Sequence, residues 1–112
     1  MLLIYQNEAR MQQLREREGA ELMAAFGAYT KALKDAGALV AGDRLDRSGN
    51  ATTVRIEGGK SKVLNGPYAE TKEQLGGFYI IEAKDLDAAL SWAARCPSAE
   101  HGVMEVRPLL AM

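Results

Sequence analysis

Apolar positions recur along this chain in two rhythms, a helical repeat in two stretches and short dense runs elsewhere. Leu22, Phe26, Tyr29 and Leu33 fall at spacings of 4, 3 and 4, which sets them on one stripe and predicts a helix over 20–36. Met23 and Ala25 extend or flank that stripe, and Gly37 is a natural stop after the last turn. A second helix is expected over 86–95, opened by Asp85 as N-cap and ended by Pro97. Its core stripe reads as Leu86, Ala89, Leu90 and Ala93, with Trp92 to one side.

The dense runs read as strands. Residues 2–5 and 78–81 are apolar on both faces. Residues 38–45 form another strand, with Gly42 a bulge or a point of close approach. Residues 51–57 and 60–64 suit a hairpin around Gly58-Gly59 with one strongly apolar face. Residues 102–107 close the series, Met104 and Val106 alternating with Val103, Glu105 and Arg107. Between the first strand and first helix, 6–18 is polar apart from Met11 and Leu14. It reads as an irregular lead-in or a short helix, interrupted at Gly19.

The resulting order is strand, helix, strand, hairpin, strand, helix, strand. It predicts one α+β domain with a ferredoxin-like antiparallel sheet and two helices on one face. Two helices cover one sheet face, yet strands 2–5 and 78–81 are greasy on both, a pattern of strands buried on both sides. A second copy packed sheet to sheet is the expected cover, with the lead-in 6–18 as the alternative. Val103, Glu105 and Arg107 would then lie on that second face.

Composition narrows the function classes. The 112 residues carry 14 Lys plus Arg against 15 Asp plus Glu, which argues against a direct nucleic-acid surface. Cys96 is the one cysteine and His101 the one histidine, so neither an internal disulfide nor a Cys/His zinc set can form. The opening Met-Leu-Leu-Ile-Tyr is short for a signal-peptide apolar region, and no run reaches the ~18 residues of a membrane span. A cytoplasmic location with no membrane contact is expected, and no residue pattern asks for a cofactor.

The run 65–82, Asn-Gly-Pro-Tyr-Ala-Glu-Thr-Lys-Glu-Gln-Leu-Gly-Gly-Phe-Tyr-Ile-Ile-Glu, resembles the signature of the DGPF group of YCII-related proteins. Met1–Tyr5, the start of the second helix at Asp85-Leu86-Asp87, and Glu105-Val106-Arg107-Pro108 are similar to other parts of that family. The resemblance implies a dimeric α/β-barrel and a sigma-factor-like protein as a partner for some members. It also implies a His–Asp acid–base pair in YCII-like relatives. Here the histidine position falls at Phe26 while the aspartate matches Asp35, and Asn65 replaces the usual aspartate of the motif. Phenylalanine cannot move a proton, so that pair does not carry over.

The remaining candidates are charged or cavity-forming residues. Glu70, Lys72 and Glu73 bring carboxylates beside an ammonium, a grouping suited to proton transfer or to an anionic substrate. Tyr68, Gly76, Gly77, Glu105 and Arg107 are candidate ligand-binding residues. One glycine of the 76–77 pair is expected to serve the backbone alone. On a covered face Glu105 and Arg107 must pair with each other or across the dimer, bind a ligand, or sit near water. Asp43 and Arg44 are candidates for a cavity rim, Cys96 for a small buried hydrophobe, and His101 for an exposed loop residue. Three functions compete: a cofactor-independent acid–base enzyme acting on a small organic molecule near 65–77, a ligand-binding or regulatory module, and a structural homodimer.

Overall fold

Leu2–Gln6 forms strand β1, and the chain turns at once into a long helix, α1, over Glu8–Asp35. The computed structural model describes residues 1–111. Strand β2 (Leu39–Arg44), a 3-10 turn at Ser48–Asn50, and strands β3 (Thr52–Glu57), β4 (Lys60–Asn65) and β5 (Gln74–Ile81) follow. Helix α2 (Leu86–Arg95), a 3-10 turn at Pro97–Glu100 and strand β6 (Gly102–Val106) complete the chain. Four strands make one antiparallel sheet in the order β2-β5-β1-β6, while β3 and β4 form a separate ribbon. Among the described residues the result is a mixed α+β domain with two helices and no closed barrel.

The stretch 8–18 is helix, not an irregular lead-in. Asn7 explains the start: its side-chain oxygen accepts from the Arg10 amide at 2.9 Å, filling a backbone donor that the first turn leaves unpaired. Met11 is buried one turn later and anchors this half. The interruption expected at Gly19 appears one residue earlier, as a kink where Glu18 leaves helical torsions (φ −134, ψ 30). The helix ends at Asp35, and Gly37 takes φ 69 just beyond it.

One face of the sheet carries the core. Tyr29 and Leu33 of α1 pack with Ile4, Ala38 and Cys96, and Phe26, Tyr79, Ile81, Trp92 and Met104 close around them. Leu33 is fully inaccessible, so its burial contributes roughly 2 kcal/mol. Tyr29 ties the two helices: its hydroxyl donates to the Trp92 carbonyl at 2.7 Å, and its ring meets Trp92 and Tyr79 edge-on.

Asp85 caps α2 as expected, accepting from the Ala88 amide at 2.8 Å. The helix is rotated from the expected stripe, however. Leu86 and Leu90 are about half exposed, while Ala93 is buried and Trp92 faces the core. The indole offers more area to bury than either leucine and touches Tyr29, so it sets the rotation.

Register explains the two-faced strands. Leu2 and Ile4 stand opposite Tyr79 and Gly77, and opposite Val106 and Met104 on the other side, all toward the helices. By alternation, Leu3, Tyr5, Phe78, Ile80, Val103 and Glu105 project from the second face. Both halves of α1 lie on the first face, so 8–18 does not cover the second. Among the described residues, no helix is long and apolar enough to cross a membrane.

The ribbon stands apart. Gly58 and Gly59 both take positive φ at its tip, the requirement of a tight two-residue hairpin turn. Val54, Ile56 and Val63 share its apolar face and remain mostly exposed. The Cα radius of gyration is 16.0 Å, against about 13 Å for a globular chain of this length. The molecule is a slab of 48 × 43 × 19 Å.

Candidate functional site

The structure opens between α1 and the first face of the sheet. A cavity of about 600 Å3 lies there, walled by Ile4, Leu22, Phe26 and Leu39, with Gly19 beside the kink. Its polar positions are Gln6, Arg15, Thr30, Asp43, Arg44, Tyr79 and Ser98. The long helix creates this space, because its N-terminal half runs on past the packed cluster of Tyr29 and Leu33.

Gly76 and Gly77 lie inside β5 rather than before it, and both line the cavity. A Cβ on Gly77 would stand 2.9 Å from the Asp43 carbonyl oxygen, a fixed backbone atom, so the sheet itself requires glycine there. At Gly76 a Cβ would meet the Gln6 side-chain amide at 2.5 Å. Gly77 therefore holds the backbone role, and Gly76 makes room for the buried Gln6 amide. Gly42 is a point of close approach, where a Cβ would press on the Tyr79 ring, and the register shift lies before it, between Leu39 and Ala41.

Polar groups in the cavity are unevenly satisfied. The Tyr79 hydroxyl is 3.1 Å from Thr30 Oγ1, and burial pushes its pKa above the ordinary tyrosine range. Ser98 is 1 % exposed, and its inaccessible Oγ lies beside the Cys96 thiol. Arg15 from α1 and Arg44 from β2 are near enough to repel each other. Desolvation, followed by the Arg44 charge, lowers the Arg15 pKa. No ion pair among the described residues involves either guanidinium. Cys96 is buried as expected beneath this region, and burial pushes its thiol pKa up.

The charged loop sits elsewhere. Glu70 and Lys72 are exposed and Glu73 is half-buried, and none of the three lines the cavity. The loop backbone is tied to the start of α1 instead: Asn7 Nδ2 donates to the Lys72 carbonyl at 3.0 Å, and the Glu8 amide donates to Gln74 Oε1 at 3.0 Å. The Glu8 carboxylate accepts from the Ser48 amide and hydroxyl at 2.6 and 2.9 Å, fastening the 3-10 turn to the same helix end. Tyr68 is 79 % exposed beneath the Arg55 guanidinium at 5.8 Å.

Glu105 and Arg107 approach each other at 3.1 Å, the internal pairing that their spacing allowed. Glu105 projects from the second sheet face, away from the cavity. His101 is exposed after the 3-10 turn at 97–100. Phe26 lines the cavity wall, while Asp35 pairs with Lys31 at 2.6 Å on the helix surface. Asp43 and Arg44, the two rim candidates of the sequence, both border the cavity, Asp43 with its carbonyl beside Gly77. Arg15, Thr30 and Ser98 carry no such signal in the pattern of charges and motifs. Arg15 becomes findable only if Asn7 is read as an N-cap with Met11 and Leu14 on one helical stripe.

These features define an α+β domain with a ligand-sized space between a kinked helix and an antiparallel sheet. The chain belongs to the YCII-related family, whose domain model matches residues 1–112. It is also 37 % identical over 110 residues to an uncharacterized protein of Rhizobium meliloti (strain 1021), an alignment covering 96 % of this chain and 89 % of that protein.

Proposed function

We propose that this chain is a small-molecule-binding module of the DGPF group, a ferredoxin-like protomer that works as a cytoplasmic homodimer. The cavity carries the reading: about 600 Å3, mostly apolar walls and a few convergent polar groups suit a small organic ligand. The strand order and the two helices on one face support the ferredoxin-like assignment. The second sheet face and the apolar face of the ribbon support a second copy as the cover. Binding is favoured over turnover because the loop acids lie outside the cavity and its phenol is pushed further from neutral pH.

A neutral solvatochromic naphthalene ketone tests the site. Its emission should shift to the blue with the unaltered protein and respond at least about tenfold more weakly with Gly19→Leu. Gly19 lines the cavity, and a Cβ there meets no atom within 4 Å, so a leucine at the cavity wall has room without a clash. Absence of any shift with the unaltered protein overturns the reading.

A second reading keeps acid–base turnover, because segment 65–77 reaches the cavity at Gly76 and Gly77. It requires Glu70→Gln to abolish product formation while the fold persists. Association with a sigma-factor-like protein draws its support from the family resemblance alone.

A further inference from the structure

Resting on the cavity reading, we propose that the occupant is a small organic anion, a carboxylate on an apolar frame, with its charge held by Arg15 and Arg44. Two guanidiniums, delivered by α1 and β2, border one cavity, and no carboxylate pairs with either among the described residues. Arg15 is half-buried and Arg44 exposed, so solvent screens part of their mutual repulsion, and an anion between them relieves the rest. A guanidinium also matches a carboxylate in bidentate geometry.

The neighbouring acids do not satisfy this pair. Asp43 alternates toward the second sheet face and meets the cavity through its backbone, beside Gly77. Asp46 is near enough to feel Arg44, but it is exposed and accepts from the Arg47 amide at 2.7 Å. Ser98 also lines the cavity, but its hydroxyl is inaccessible and lies beside the Cys96 thiol, so the charge of the occupant falls to the two guanidiniums. The apolar frame follows from Ile4, Leu22, Phe26 and Leu39, which offer such a molecule no other polar contact.

Titration calorimetry with 2-naphthoate and its neutral analogue 2-acetylnaphthalene tests the charge of the occupant. The carboxylate should bind about tenfold or more tightly than the ketone. The preference should vanish in the Arg15→Gln, Arg44→Gln double variant and persist in Arg15→Lys. Equal affinities overturn the anion while leaving the cavity reading intact, as does a preference that survives the double variant. Failure of both ligands, with no blue shift of the neutral dye, overturns both. Should the double variant misfold, the two ligands compared on the unaltered protein still separate an anion site from a neutral one.

Discussion

On one face of the four-stranded sheet Leu2, Ile4, Tyr79 and Met104 pack beneath two helices, whereas on the other Leu3, Tyr5, Phe78 and Ile80 project away from both. The two sets differ little in hydrophobicity. What differs is the partner: the first face meets Tyr29, Leu33 and Trp92 within the chain, and the second has no helix against it. Similar residues therefore do two jobs, one holding the protomer together and the other available to a second copy. Substitutions on the first face should bring large stability losses, and those on the second small ones.

The sharpest break comes at Leu33. Replacing this inaccessible side chain by alanine removes buried methyl groups and leaves a hole beneath the helices. Leu33→Ala should cost about 2–5 kcal/mol in urea denaturation. A cost below about 1 kcal/mol would show that α1 is not packed as described.

Tyr29 probes the same face more gently. Tyr29→Phe removes the hydrogen bond to the Trp92 carbonyl and should cost about 1 kcal/mol at neutral pH. It also exposes a pH effect. Burial, with smaller contributions from Cys96 and Tyr79, raises the Tyr29 pKa, and burial likewise raises that of Tyr79. Above about pH 10 the unfolded chain loses these protons while the folded chain retains them, so stability falls as pH rises past that point. The loss is absent below it. Denaturation at about pH 9 and about pH 11 should show a smaller alkaline loss in Tyr29→Phe than in the unaltered chain. An identical loss would mean that Tyr29 does not contribute to it.

How much of this was legible in the sequence differs by element. The stripe from Leu22 to Leu33 named the core side of α1 correctly, because a buried helix face must repeat near 3.6 residues. The first turns of the same helix were obscured by Gln6 to Glu18. Only Met11 and Leu14 mark an inward face there, and the cap at Asn7 carries no matching acid three residues on. The cavity is hidden with that half, since Arg15 and Gly19 lie on it. Glycines mislead in a different way. Gly76 and Gly77 look like a bend before β5, but they continue the strand because Gln6 and the Asp43 carbonyl crowd any side chain there. Charge density draws attention to Glu70, Lys72 and Glu73, although short charge runs are commonly solvated.

The second face gives the smallest expected change in protomer stability and the largest in assembly. Ile80 lies on β5 opposite Ala41 and on the face away from the helices. Ile80→Glu leaves Leu33, Tyr29 and Trp92 in place, so its effect on a separated protomer should stay within about 1 kcal/mol. In a sheet-to-sheet dimer the same carboxylate would be desolvated against apolar side chains, on both copies at once by symmetry. Sedimentation equilibrium should therefore give twice the chain mass of 12.2 kDa for the unaltered protein and the single-chain mass for Ile80→Glu. Single-chain mass for both would make the second face an ordinary exposed surface. A two-chain mass that survives Ile80→Glu would move the interface to the exposed apolar face of the ribbon, where Val54 and Val63 stand opposite each other.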